Sequence, residues 1–333
     1  MKCCYQIWLA LLLCAISSPG LADTAHSDDD VFTLTVENDS LGSGADRNYT
    51  SGVRFGWLQH YQKPSLVART LDKLVPFNLL NDTTTVSYSL GQNFYTPKVI
   101  SAHIPDPADR PYAGFLYGTV AVNAANGNHV DNLELTAGII GPAALGLETQ
   151  RFVHAFIDGV RPEGWKYQLK NEPGLMVSWE RLWPDMLNSE IGDVYFRAGP
   201  YTGATLGNIY TYANSGLIFQ LMSKKYKSQS TPQRMRPALA GNGYAAIPDG
   251  EFSWCVFAGL EGRLVGRNIF LDGNTFTDSP SVGKKPFVGD ANLGVAFDLG
   301  RALLSYTLNW RSQEFYGQDN TDLFGSVGLS YRF

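Results

Sequence analysis

The chain has 333 residues, 44% hydrophobic and 13% aromatic, with 26 Lys and Arg against 31 Asp and Glu for a net charge of −5. That balance offers no basic tract for nucleic acid, and the sequence holds no Gly-rich phosphate loop and no His-Glu-x-x-His zinc spacing. Beyond the N-terminus, no stretch approaches the ~20 consecutive apolar residues of a membrane helix. Apolar content without apolar runs is what a transmembrane β-barrel needs, because each strand alternates lipid-facing and lumen-facing residues.

Residues 1–22 read as a removable secretory signal: Lys2 is the charged start, Trp8 to Ile16 the apolar run, and Gly20-Leu21-Ala22 the small-residue cleavage site. Cys3, Cys4 and Cys14 leave with it. Only Cys255 remains in 23–333, so neither an intrachain disulfide nor a cysteine metal cluster is expected.

After the signal, alternation begins at once. Phe32, Leu34 and Val36 share one parity and Thr33, Thr35 and Glu37 the other. A polar, glycine-bearing tip runs from Asn38 to Asn48, and alternation resumes with Val53, Phe55 and Trp57. This is a hairpin with a long tip. Asn38, Asp39, Asp46, Arg47, Asn48 and Thr50 sit where its strands leave the sheet. Further alternating segments lie near 84–94, 113–122, 131–140, 173–182, 192–201, 214–222, 252–262, 287–297, 302–311 and 324–333.

The total is about twelve, an even number, as a closed antiparallel barrel with both termini on one side requires. Leu133, Leu135, Ala137 and Ile139 in one strand, and Ala302, Leu304, Tyr306, Leu308 and Trp310 in another, read as the outward face. The last strand ends on Tyr331-Arg332-Phe333, which resembles the closing strand of bacterial outer-membrane barrels.

Links alternate in length, and short turns belong to the periplasmic end. The tips at 38–50, 95–112, 141–172, 202–213, 263–286 and 312–323 then face outward. Two long periplasmic links, 62–83 with a short helix Ser65–Leu74 and 223–251, break the pattern.

The tip at 141–172 is the most informative. Leu147 to Ile157 fit a helix with Phe152, Val153, Phe156 and Ile157 on one face, and His154 lies in it, four residues after Gln150. A histidine beside a carboxylate, a carboxamide and a hydroxyl is the minimum equipment for activating water, with or without a metal. A lone histidine in an exposed helix is equally the commonest kind of bland surface residue.

Several motifs follow in one order: Val36-Glu37-Asn38-Asp39, Asp46-Arg47-Asn48-Tyr49-Thr50-Ser51-Gly52, Asp109-Arg110-Pro111-Tyr112-Ala113-Gly114, Ile140-Gly141-Pro142 with Gln150 and His154, Gly164-Trp165, and Asn171-Glu172-Pro173. Together they resemble the outer-membrane lipid A 3′-O-deacylase family, over nearly the whole chain and most densely over 31–183. The resemblance implies a twelve-stranded barrel and a Ca²⁺-dependent esterase acting on lipid A of lipopolysaccharide among outer-membrane lipids. It implies that His154 is the base, that Asn38 and Asp39 lie at the calcium, that Thr50 belongs to the catalytic group, and that Lys98 contacts substrate. Departures around Lys98 leave that last match loose. The alternatives are an outer-membrane phospholipase A-like lipase and a non-enzymatic barrel. The first would need a His-x-Ser-Asn-Gly element, which follows none of the five histidines.

Overall fold

The computed structural model describes residues 30–42, 48–60, 66–75, 79–81, 83–157, 160–224, 226 and 252–333. The signal segment, Asp46 and Arg47, and most of the 223–251 link lie outside the described residues.

The alternating segments become strands β1 (Val31–Asn38), β2 (Asn48–His60), β3 (Thr85–Thr96), β4 (Ala113–Asn126), β5 (His129–Ile140), β6 (Glu172–Leu182), β7 (Leu187–Ile191), β8 (Val194–Gly207), β9 (Tyr210–Ser223), β10 (Ser253–Asn268), β11 (Phe287–Asp298), β12 (Ala302–Arg311) and β13 (Asp322–Arg332). Each pairs antiparallel with its neighbours, and the β1–β13 and β6–β8 pairings close the sheet on itself. Closure leaves no open edge, so backbone donors and acceptors are satisfied without water. The ring has twelve members. The thirteenth strand, β7, pairs only with the first part of β8, beyond the reach of β6. It continues the line of β6 after an interruption at Trp183-Pro184, where proline has no N–H to give the ladder.

Register follows the hydrophobic pattern, because a one-residue slip would turn every side chain to the wrong face. In β12, Tyr306 and Trp310 are exposed while Ser305, Thr307 and Asn309 are buried. In β1, Phe32 and Leu34 face out and Thr35 and Glu37 face in. The apolar parity is the outer wall and the polar parity the lumen.

The lumen is filled. Arg54 meets Glu134 at 3.2 Å, Arg110 meets Glu314 at 3.3 Å, and Arg311 meets Asp290 at 2.7 Å, with Arg263 also on Asp290. At the end away from the termini, helix α3 (Ile269–Asp272) folds into the mouth. It stacks Phe270 on Tyr95 with centroids 4.1 Å apart, and the Tyr95 hydroxyl lies 2.9 Å from that of Tyr210.

One expected tip changes. The tip expected at 202–213 is a two-residue turn, Asn208-Ile209, because β8 and β9 run on to meet it. In the 62–83 link, helix α1 spans Leu66–Leu74, and its Asp72 carboxylate accepts from Leu79 N at 2.9 Å. Leu79 then packs on Val86, Val122 and Leu133. Leu133, on the outward parity, is therefore only 2% exposed.

Candidate active site on the outer wall

The segment after β5 folds back over the outside of the barrel. Gly141, at φ 95°, starts it; a Cβ there would lie 2.6 Å from the Lys170 backbone. Pro142 opens a 3-10 turn over Pro142–Ala144, whose Ala143 N donates to Asn171 Oδ1 at 2.8 Å. Leu145 takes a left-handed conformation (φ 58°), uncommon for a residue with a side chain. Helix α2 (Gly146–Ile157) follows.

Helix α2 can touch the wall because glycine faces glycine. A Cβ on Gly146 would lie 2.6 Å from the Trp165 ring and 3.2 Å from the Gly114 Cα. Gln92 Nε2 donates to Ala144 O at 2.6 Å. Phe94, Tyr112 and Trp165 form a buried cluster with Leu147 against it. Gln92 and Phe94 share the outward parity of exposed Leu90, so α2 stands on the lipid-facing side of β3 and β4.

The face it turns to the protein carries Gln150. Gln150 is fully buried, and its Oε1 accepts from Trp165 Nε1 at 2.7 Å. His154, one turn on, shares that stripe and is half-buried. Phe152 is 64% exposed and Val153 is exposed too, while the side chains of Phe156 and Ile157 lie outside the described residues.

His154 Nδ1 lies 2.6 Å from the carbonyl oxygen of Val160. A carbonyl only accepts, so in the neutral ring Nδ1 carries the proton and Nε2 keeps a lone pair.

Asn38 ends β1 on the outward parity, and its Oδ1 accepts from Ser40 N at 2.8 Å and from the Ser40 hydroxyl. This caps a 3-10 turn, Asp39–Leu41, in which Asp39 is 4% exposed. Tyr306 OH donates to Leu41 O at 2.8 Å and fixes the tip against β12. Thr50 lies in β2 at a register irregularity against β3, between Tyr49 and Ser51; its side chain is outside the described residues.

Lys98, past the end of β3, is placed otherwise. Its backbone N donates to Asp109 Oδ2 at 2.7 Å, and its ammonium lies 2.6 Å from Asp319. Asn38 and Asp39 leave β1 toward β13 and β12, Thr50 lies in β2, and α2 stands on β3 and β4, whereas Lys98 reaches across to the 312–321 loop.

Among the described residues, no group of three His, Cys, Asp or Glu gathers as a metal cluster. The 38–41 tip supplies one carboxylate, one carboxamide oxygen and turn carbonyls. That all-oxygen set fits a hard cation such as Ca²⁺, which takes six to eight oxygens including carbonyls and water.

Other motif residues are scaffold. Glu172 accepts from Thr275 N at 2.7 Å and Asn208 Nδ2 at 3.0 Å, tying two far-end links to β6. Tyr112 OH donates to Ile100 O at 3.0 Å. The placement of α2 outside the wall was missed, although Gly114 and Gly146 were its signal.

A family model described as outer membrane protein LpxR matches residues 7–333. No curated protein matches the chain by sequence. Among solved structures, LpxR from Salmonella typhimurium is 22% identical, covering 91% of this chain and 100% of its own, with a TM-score of 0.73. The β domain of the Bordetella autotransporter BrkA is 10% identical over 92% of this chain and 99% of its own, with a TM-score of 0.42. The Salmonella structure agrees with the closed twelve-stranded barrel, and the family match covers nearly the whole chain: this protein is an outer-membrane β-barrel and belongs to the LpxR family.

Proposed function

We propose that this protein is a Ca²⁺-dependent ester hydrolase that removes the 3′-linked acyloxyacyl chain from lipid A. The observation that carries the reading is the position of α2: it stands on the lipid-facing wall with Gln150 and His154 turned toward the protein and Phe152 and Val153 turned away. A membrane-embedded ester can reach such a histidine without leaving the bilayer. In a soluble or luminal site it would first have to be extracted.

His154 Nε2 takes a proton from water as the water oxygen bonds to the ester carbonyl carbon. The ester C–O bond then breaks and the proton passes to the departing sugar oxygen, leaving a free fatty acid and a hydroxyl. The Val160 carbonyl holds the ring in the tautomer this needs and favours the imidazolium formed midway. Asn38 and Asp39 are the residues that would hold calcium, which when bound supplies positive charge for the developing oxyanion. Thr50 is proposed to complete this group, and Lys98 to meet the substrate outside it.

The filled lumen weighs against a passive pore. The phospholipase-like reading lacks its serine element. Mass spectrometry of lipid A incubated with the protein, with calcium or with a chelator, tests the proposal. A calcium-dependent loss of the 3′ chain is expected; a phospholipid product with lipid A untouched would replace this reading with the lipase.

A further inference from the structure

A cavity opens at the extracellular mouth. It has a volume of about 470 Å³ and lies between the 97–112 and 312–321 loops. The two loops meet closely: a Cβ on Gly317 would lie 2.3 Å from the Ala108 carbonyl oxygen. Tyr316 N donates to Gly283 O at 2.9 Å, and Gln313 Nε2 donates to Gln318 O at 2.8 Å. The cavity is therefore framed by bonded backbone.

Gln318 lines it and is only 6% exposed. Its Oε1 accepts from Glu314 N at 2.7 Å, which fixes the amide so that Nε2 is the end left for other partners. Among the described residues, nothing accepts from that buried Nε2. A buried amide donor without an acceptor is costly, and a ligand oxygen would remove the cost.

The rest of the lining narrows the ligand. Phe315 supplies an apolar floor, Lys98 a cation, Asp106, Asp109 and Asp319 carboxylates, and Asn320 a carboxamide. An anion would meet three carboxylates against one lysine. A bare cation would meet a lysine and an amide donor. A polyhydroxylated ring matches both kinds of group, because each hydroxyl donates and accepts and its C–H faces pack on apolar surface.

We propose that this cavity binds the saccharide head of the substrate, with Gln318 donating to a sugar oxygen while the acyl chains lie along the wall near α2. The proposal rests on the lipopolysaccharide-directed reading, and it explains why Lys98 lies here and not beside Asp39.

The test is calorimetric titration of the detergent-solubilised full-length barrel with lipopolysaccharide core oligosaccharide stripped of all acyl chains. Saturable binding is expected. Gln318→Glu keeps the acceptor for Glu314 N and removes the donor, so affinity should fall about fivefold or more in the protein that still migrates as a folded barrel. Val99 lines the cavity and is 55% exposed, so Val99→Trp should fill the space without disturbing the core and also weaken binding. His154→Ala should bind as the wild type does. No saturable binding by the wild type, or wild-type affinity in both cavity variants, would overturn the proposal. Oligosaccharide binding without deacylation of lipid A would remove the esterase reading and leave the cavity standing.

Discussion

His154 Nδ1 and the Val160 carbonyl oxygen lie 2.6 Å apart, so the loop that follows α2 sets which ring nitrogen is basic. His154→Ala should cut deacylation by ~10²–10⁴-fold, the usual worth of a general base. Folding should be nearly intact, because the residue is only half-buried and lies outside the barrel ladder. Wild-type activity should be lost on acidification, because only a neutral imidazole can take the proton of the attacking water. A folded His154→Ala barrel with wild-type turnover would remove the histidine from the mechanism.

Gly146→Val separates the position of α2 from the integrity of the barrel. The added Cβ lies 2.6 Å from the Trp165 ring and faces the Gly114 Cα, so the helix must lift from β3 and β4. The twelve-membered ladder does not depend on that contact. The expected result is a barrel that still migrates faster unboiled than boiled on a gel, with lipid A turnover reduced at least tenfold. Unchanged turnover would mean that contact of the helix start with the wall is not needed.

Asp39→Ala should weaken calcium binding, since it removes the one carboxylate of the 38–41 tip. Excess calcium should then restore part of the activity, which it should not do for His154→Ala. Titrating calcium against initial rate in both variants distinguishes the roles. An Asp39→Ala protein with the wild-type calcium dependence would place the ion elsewhere.

The barrel was legible because alternation has a period of two and both faces of each strand are constrained. Ser305, Thr307 and Asn309 against Tyr306 and Trp310 needed no tertiary information. The seating of α2 was not legible in the sequence, for a physical reason. In water an apolar stripe such as Phe152-Val153 turns inward, but against lipid the inward stripe can be the polar one, and only the wall's parity reveals which solvent the helix meets. Leu133 has the outward parity its strand pattern gave it, but a strap from a distant link covers it, and no alternation shows that. The ends of β8 and β9 were missed because the polar stretch at Asn208 reads as a loop, when its side chain instead closes a two-residue turn onto Glu172 and the Pro173 carbonyl. Lys98 illustrates the limit of motif matching: its place in the chain fits the family, but its partner, Asp319, is 221 residues away.

The lumen and the outer wall should be separable by mutation. Arg54 on β2 meets Glu134 on β5 at 3.2 Å, both side chains buried, and Arg54 also donates to Thr119. Removing one partner of such a pair leaves a buried charge undercompensated, so Glu134→Ala should destabilise the barrel by up to ~3–5 kcal/mol. Replacing both by apolar residues of similar volume, Arg54→Met with Glu134→Leu, removes the charge problem, and the double variant should recover most of that loss. Denaturant unfolding in lipid vesicles measures both. The double variant should also deacylate lipid A at close to the wild-type rate, because the pair faces the lumen while His154 stands on the opposite side of the wall. A double variant that is as stable as the wild type yet inactive would show that the reaction depends on the lumen, and the site on the outer wall would have to be abandoned.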